Sequence, residues 1–384
     1  MSACAARQPH VATAARAPTP TIRAAGDGLY FVDVPGTHGK GIVVEQGRSL
    51  CLIDPPLSDV GGEATALHDD VDGGRRLLAA LDARFPQQRL AYLLSSHWHP
   101  HSLAALRPFL DRGVRVVTTR ANFARLREML LPNPPTKIDE LITFVDEASL
   151  AIGEGSDRII AHRLLKKDFP STPTDDYLFF ELPRYDALYA ACMFFTWPGP
   201  LVAGRPFVTE REEDLFRFLQ TRALHPRWLI RLEREASGNE LVPFGELAAR
   251  IDNGVHSVEL TRRYRAASTE ELRRDRATLA AEAIADHVPA YLLNDVVYES
   301  VAAHELDRAL ELATLQVLIA PSSSNAWDTL GEVAFVIGTL DAARAYEAEA
   351  RRRAKGAYTG GESVWRSDLE QYRRDWAAHR RPGP

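Results

Sequence analysis

The stretch Tyr92-Leu93-Leu94-Ser95-Ser96-His97-Trp98-His99-Pro100-His101-Ser102 joins a hydrophobic run to three alternating histidines. It reads as a buried strand running into a histidine cluster, with a helix expected over Leu103–Leu110. In an extended backbone alternate side chains project to one side. Pro100 biases His99 toward that conformation. Imidazoles gathered at a strand end are the ligand type that zinc and related metals prefer.

Upstream, Leu29–Val34, Gly41–Glu45 and Ser49–Asp54 read as three β-strands, with Gln46-Gly47-Arg48 as a tight turn. A Gly/Asp-rich loop, Pro55 to Gly74, precedes a helix expected from Arg75 to Arg84. Downstream come a strand at Val114–Thr118 and a helix at Ala121–Leu130. The rhythm then repeats. Ile142–Val145, Arg158–Ala161, Tyr177–Leu182 and Ala187–Cys192 read as strands, Glu210–Ala223 as a helix, and Trp228–Leu232 as a last strand. Periodicity alone makes this part α/β.

Beyond about Pro243 the pattern becomes helical, rich in Ala, Leu, Arg and Glu. Leu306, Asp307 and Ala309 recur as Leu340, Asp341 and Ala343, an offset of 34 residues. Trp327-Asp328-Thr329-Leu330-Gly331 matches the Trp-x-x-Leu-Gly start of a tetratricopeptide unit. Two such units are expected, at about 289–321 and 323–355, with a terminal helix at Val364–His379 as a cap. Two units are few for a free-standing solenoid, so packing against the rest of the chain is expected, with Trp327 central to it.

The histidine segment resembles the His-x-His-x-Asp-His signature of the metallo-β-lactamase superfamily, and the hairpin series ending in Leu52-Ile53-Asp54 resembles that superfamily's opening. The resemblance runs over roughly residues 25–240. It implies a four-layer αββα sandwich, followed here by the all-α helical-repeat extension. The expected organisation is a disordered segment at 1–20, a metallo-β-lactamase-like domain at 21–243, a helical linker at 244–288, the repeat pair at 289–355, and a terminal helix and tail at 356–384.

The resemblance also implies a ligand set, which this sequence alters. The first two signature histidines stand as His97 and His99. His101 replaces the signature Asp, and Ser102 replaces the following histidine. Pro173, before Thr174, stands where another histidine ligand is usual and has no side-chain donor. Cys192 occupies the place of a ligand Asp, a position where the zinc β-lactamases use a cysteine. Glu233 aligns loosely with the final ligand. The implied metal set is His97, His99, His101, Cys192 and Glu233, holding one zinc at most. Each has a plainer reading. The first two histidines are equally relics of a former site, His101 a residue at a helix start, and Cys192 a small core hydrophobe. Cys51 has no partner at ligand spacing and reads as core. Trp98, Tyr177 and Trp197 line the cleft or simply pack.

Bulk properties narrow the rest. A 384-residue chain that is 45% hydrophobic has room for one large domain and a smaller one. A net charge of −6 provides no basic field for nucleic acid. Cys4, Cys51 and Cys192 make no disulfide framework. No apolar stretch is long enough for a transmembrane segment. A cytoplasmic location is the default. Met1-Ser2-Ala3-Cys4 also resembles a bacterial lipoprotein's acylated cysteine, which would make this an exported lipoprotein. No Gly-x-Ser-x-Gly elbow is present, and Gly36–Lys40 lacks P-loop spacing. Two functions are expected. One is a mononuclear zinc-dependent hydrolase of an ester, amide or lactone. The alternative is a catalytically inactive pseudoenzyme, a ligand-binding or protein-interaction scaffold that meets a partner or itself through residues 289–379.

Overall fold

The structure, a computed structural model, describes residues 19–34, 40–56, 70–131, 133–135, 137–194, 201–202, 204–232, 240–354 and 360–379. The N-terminal segment with Cys4, most of the Pro55–Gly74 loop, Trp197 and Glu233 lie outside these residues.

The first sheet has seven strands in sequence order: β1 (Thr21–Gly26), β2 (Leu29–Asp33), β3 (Lys40–Gln46), β4 (Ser49–Ile53), β5 (Arg89–Leu94), β6 (Arg115–Thr118) and β7 (Ile142–Phe144). β1 to β4 form an antiparallel meander, and β4 to β7 run parallel. The parallel connections carry α1 (Val71–Arg84), α2 (Pro100–Leu103), α3 (Arg107–Asp111), α4 (Arg120–Leu130) and α5 (Ile138–Leu141). The second sheet has the order β15-β14-β11-β10-β9-β8. Its strands are β8 (Ser149–Ile152), β9 (Ile159–Leu165), β10 (Asp176–Leu182), β11 (Ala187–Tyr189), β14 (Trp228–Ile230) and β15 (Leu241–Pro243). A small third sheet joins β12 (Leu201–Val202), β13 (Arg205–Val208) and β16 (Val255–His256).

Strand alternation assigns the layers. Phe31, Ile42, Val44, Cys51, Ile53, Leu94 and Val117 of the first sheet share a core with Ile159, Phe179 and Leu229 of the second. The opposite set, Val32, Val43, Leu50, Leu52, Leu93 and Val116, packs on Leu77, Leu81, Phe109 and Leu126 of α1, α3 and α4. On the far side, α6 (Glu210–Thr221) and α7 (Phe244–Asn253) contribute Leu215, Phe218 and Leu247 to the core of the second sheet. The result is the expected four-layer αββα sandwich.

Three local expectations change. The single helix over Leu103–Leu110 is two short helices, α2 and α3, because Pro108 has no N–H to donate within a continuous helix and sits instead in the first turn of α3, where none is needed. α1 begins a turn earlier than expected, where the Asp70 side chain accepts from Gly73 N at 2.9 Å. The strand expected through Cys192 ends at Tyr189, followed by a 3₁₀ turn at Ala191–Met193.

The remaining chain is helical apart from β16: α8 (Ser257–Ala266), α9 (Thr269–Ala285), α10 (Leu292–Ala302), α11 (Leu306–Ile319), α12 (Ser324–Ile337), α13 (Leu340–Arg353) and α14 (Glu362–His379). These helices share a core that includes Val202 and Phe207 of the third sheet. β16 also pairs parallel with β13, Phe207 opposite Val255. The extension is therefore tied to the third sheet, through both its core and the β13–β16 pairing. Trp327 is only partly buried. It bonds Pro321 O at 2.9 Å, and Arg353 lies 4.6 Å from its ring. Among the described residues the fully buried indole is Trp365 of α14, 1% exposed. Among the described residues, no helix is long and apolar enough to cross a membrane.

Candidate metal centre

Strand ends and the turns that follow them build the site. β4 runs into Asp54, β5 into Ser95–His99, and β11 into Ala190–Phe194. Leu178 N of β10 donates to Ser96 O at 2.8 Å, which ties the histidine turn to the second sheet.

Two of these turns hold backbone that L-residues seldom adopt. Asp54 has φ of 44° and Ala191 has φ of 43°. Gly41 makes room for the first. A Cβ there would lie 2.9 Å from Pro56 Cδ and 3.0 Å from Asp54 O. The second turn directs Cys192, the next residue, toward the histidines.

His97 and Cys192 are buried, and His99 is half-buried. One ligand atom from each lies within 4.8 Å of the others. The His97 and His99 rings are 4.5 Å apart at their centroids, and Cys192 Sγ is 3.9 Å from His99 Nδ1. Tyr177 covers His97 from one side at 4.8 Å, its hydroxyl donating to Ala190 O at 3.2 Å. Trp98 meets His99 edge-on at 5.1 Å.

Behind His97 stands a hydrogen-bonded support. The Asp54 carboxylate accepts from Ser96 N at 2.8 Å and from Ser96 Oγ. Ser96 Oγ is in turn 2.6 Å from His97 Nδ1, and Ser102 Oγ is 3.5 Å from it. A serine has one proton to give. Given to Asp54, it leaves Ser96 Oγ to accept from His97 Nδ1–H, and the lone pair then sits on Nε2. Such outer partners set the tautomer and aim of a metal-binding imidazole. Burial raises the Asp54 carboxyl to about 6, opposed by its bonds from Ser96. Burial also holds Tyr177 and Tyr189 well above the usual phenol range.

Of the five residues expected from sequence, the structure brings together His97, His99 and Cys192. His101 lies in the first turn of α2, but its side chain and all of Glu233 fall outside what is described. Ser102, weak as a ligand, is a buried member of the support. Cys51 lies in the inter-sheet core, where burial pushes its thiol far up. Asp176 is bound by Arg163 through two bonds of 2.8 and 2.7 Å and takes no part. Sequence reasoning missed Asp54 and Ser96. The available signal was a carboxylate closing a buried strand, and two small hydroxyls directly before the first histidine.

No protein-family model and no curated protein matches this chain. Among solved structures it is similar to a metallo-β-lactamase from Pontibacter korlensis, at 15% identity and a TM-score of 0.43, over 61% of this chain and 98% of that one. It is also similar to the metallo-β-lactamase FIM-1 from Pseudomonas aeruginosa in a mono-zinc form, at 12% identity and a TM-score of 0.42, over 60% and 92% of the two chains.

Proposed function

We propose that this protein is a mononuclear zinc-dependent hydrolase acting on an ester, amide or lactone. The observation that carries the reading is the donor set. Two imidazoles and a thiol, converging within 4.8 Å, are nitrogen and sulfur ligands of the kind zinc takes. Three protein ligands leave one tetrahedral position open, the arrangement of catalytic rather than structural sites. Zinc bound there supplies Lewis acidity and acidifies water.

The chain's own residues do the rest. Asp54 and Ser96 hold His97 with Nε2 deprotonated. The turn after β11 presents Cys192, and Tyr177 and Trp98 wall the histidines with apolar rings. Among the described residues no carboxylate joins the three donors. That favours the second reading, a site that binds zinc or a ligand without turnover, on a scaffold.

We further propose that α10–α11 and α12–α13 are two tetratricopeptide-like units. Paired helices at the 34-residue offset support this, as does Gly331 lying beneath Trp365. The division at 21–243, 244–288, 289–355 and 356–384 follows from that reading.

The test is metal analysis of protein purified without chelator, then hydrolysis of ester, amide and lactone substrates. About one zinc per chain is expected, lost in His97→Ala together with hydrolysis. Zinc near zero after zinc-replete expression overturns the metal site. One zinc without hydrolysis leaves the scaffold reading.

A further inference from the structure

α14 meets α13, its neighbour in sequence, through its first turns. It lies across α12 and α10. Trp365 fills a slot on α12, its ring 2.5 Å from where a Cβ on Gly331 would sit, and its Nε1 donates to Asp328 Oδ1 at 3.2 Å. Further along, Trp376 Nε1 donates to Val301 O at 3.0 Å at the end of α10, and Tyr372 stacks on Trp376. Residues 365, 372 and 376 are spaced i, i+7, i+11, one face of a helix.

The centre of this contact is electrostatically mismatched. Glu332 of α12 is 5% exposed. Tyr298 of α10 donates to it at 2.8 Å and Tyr372 of α14 at 3.3 Å. Among the described residues Glu332 forms no ion pair, and the nearby charges that raise it most are Asp368 of α14 and Asp328 of α12, both acidic. Burial, then Asp368, pushes Glu332 up to about 8. Burial, then Asp328, pushes Asp368 up to about 6. The chain answers a buried carboxylate differently elsewhere. Glu311 of α11, also 5% exposed, is bound by both Arg273 and Arg276 of α9. A buried carboxylate met by like charge is a poor permanent contact, and an arginine in its place is a good one.

We propose that the face of α10 and α12 beneath α14 is a helix-docking groove, which α14 occupies in cis as a replaceable self-ligand. The partner it fits is an amphipathic helix with aromatic residues at i, i+7 and i+11 and an Arg or Lys at i+3, where α14 has Asp368. A trans helix so built takes the same slot and adds the missing counter-charge to Glu332. This inference is independent of the metal centre.

The probe is a fluorescent peptide of residues 360–379 carrying Asp368→Arg, compared with the same peptide in native sequence. Both are titrated into the full-length protein, and hydrogen exchange of the protein's own residues 360–379 is followed. The charge-reversed peptide is expected to bind about tenfold or more tighter and to speed exchange in the protein's own α14 as it displaces it. Full-length Asp368→Arg is expected to exchange more slowly there and to reject the peptide. The wild-type titrations decide the matter even where that variant folds poorly. Absence of binding, equal binding of the two peptides, or binding that leaves α14 exchange unchanged overturns the proposal.

Discussion

Cys192 Sγ stands 3.9 Å from His99 Nδ1, although the two residues are 93 positions apart and come from different sheets. A thiol placed so is a metal ligand or an inert core group, and reactivity separates the two. As a ligand it is a thiolate shielded by the metal. Native protein is expected to react slowly at Cys192 with a thiol reagent, and several-fold faster after chelation. Cys51, 0% exposed, is expected to stay silent in both states. Equal labelling of Cys192 with and without chelator would mean that it holds no metal.

The Asp54–Ser96–His97 line predicts a stability cost separate from metal binding. Asp54→Ala leaves the buried Ser96 N–H and hydroxyl without their acceptor. That loss costs roughly 1–3 kcal/mol, and it removes what orients His97. Metal-free Asp54→Ala is expected to unfold at lower denaturant than metal-free wild type, with a loosened hold on zinc. An unchanged midpoint in the metal-free pair would show that Ser96 finds another acceptor at no cost.

Trp365 and Trp327 are expected to differ sharply. Trp365 is fully buried against Gly331, Phe335 and Ala343, so Trp365→Ala is expected to cost about 3–5 kcal/mol in docking α14. Trp327 rests on a partly exposed hydrogen bond to Pro321 O and a cation–π contact with Arg353. Each is worth about 1 kcal/mol. Gly331→Ala is expected to act as Trp365→Ala does, because the added carbon falls inside the indole. Exchange protection of residues 360–379 measures all three.

Glu332 gives a pH signature. Its carboxyl is raised in the folded chain to about 8. Its contribution to stability is therefore fully present below the ordinary glutamate range and is lost as pH rises through about 8. Asp368, raised to about 6, acts in the same direction at lower pH. Glu332→Gln keeps the shape and removes the ionisation. The variant is expected to match wild type near pH 4.5 and to be more stable by a few kcal/mol, on the order of the shift, above pH 8. Melting curves at the two pH values check this, and a difference independent of pH would contradict it.

The sandwich was legible through the resemblance carried by the histidine segment and the opening hairpins, whereas periodicity gave only α/β. In β3, Ile42, Val43 and Val44 are all apolar because both faces are covered, so no pattern in the sequence separates the inter-sheet core from the helix-facing one. β1 is not legible because it is an edge strand whose side chains are exposed or half-buried, so burial imposes no alternation on it. His97 and His99 were legible from spacing, and Cys192 from its place near a strand end. The support was not. Asp54 and Ser96 are 42 residues apart, and their meeting depends on a left-handed turn that no local pattern announces. Trp365 was overlooked for a similar reason. Its slot is the missing side chain of Gly331, a distant residue whose glycine had been read as part of a repeat motif.

The pairing of β13 with β16 bears on how the chain comes off the ribosome. Phe207 and Val208 find their strand partners in Val255 and His256, and their apolar cover in α8 to α10. Domains generally fold as they emerge, N-terminal part first. Here the third sheet gains its last strand only once β16, beyond α7, has been synthesised, and its apolar cover only with α8 to α10. Until then an unpaired strand edge with an apolar side chain beside it is held in the nascent chain, the kind of surface that chaperones bind. The two halves of this protein are thus joined in time as well as in space, and neither is a finished product while the other is still being made.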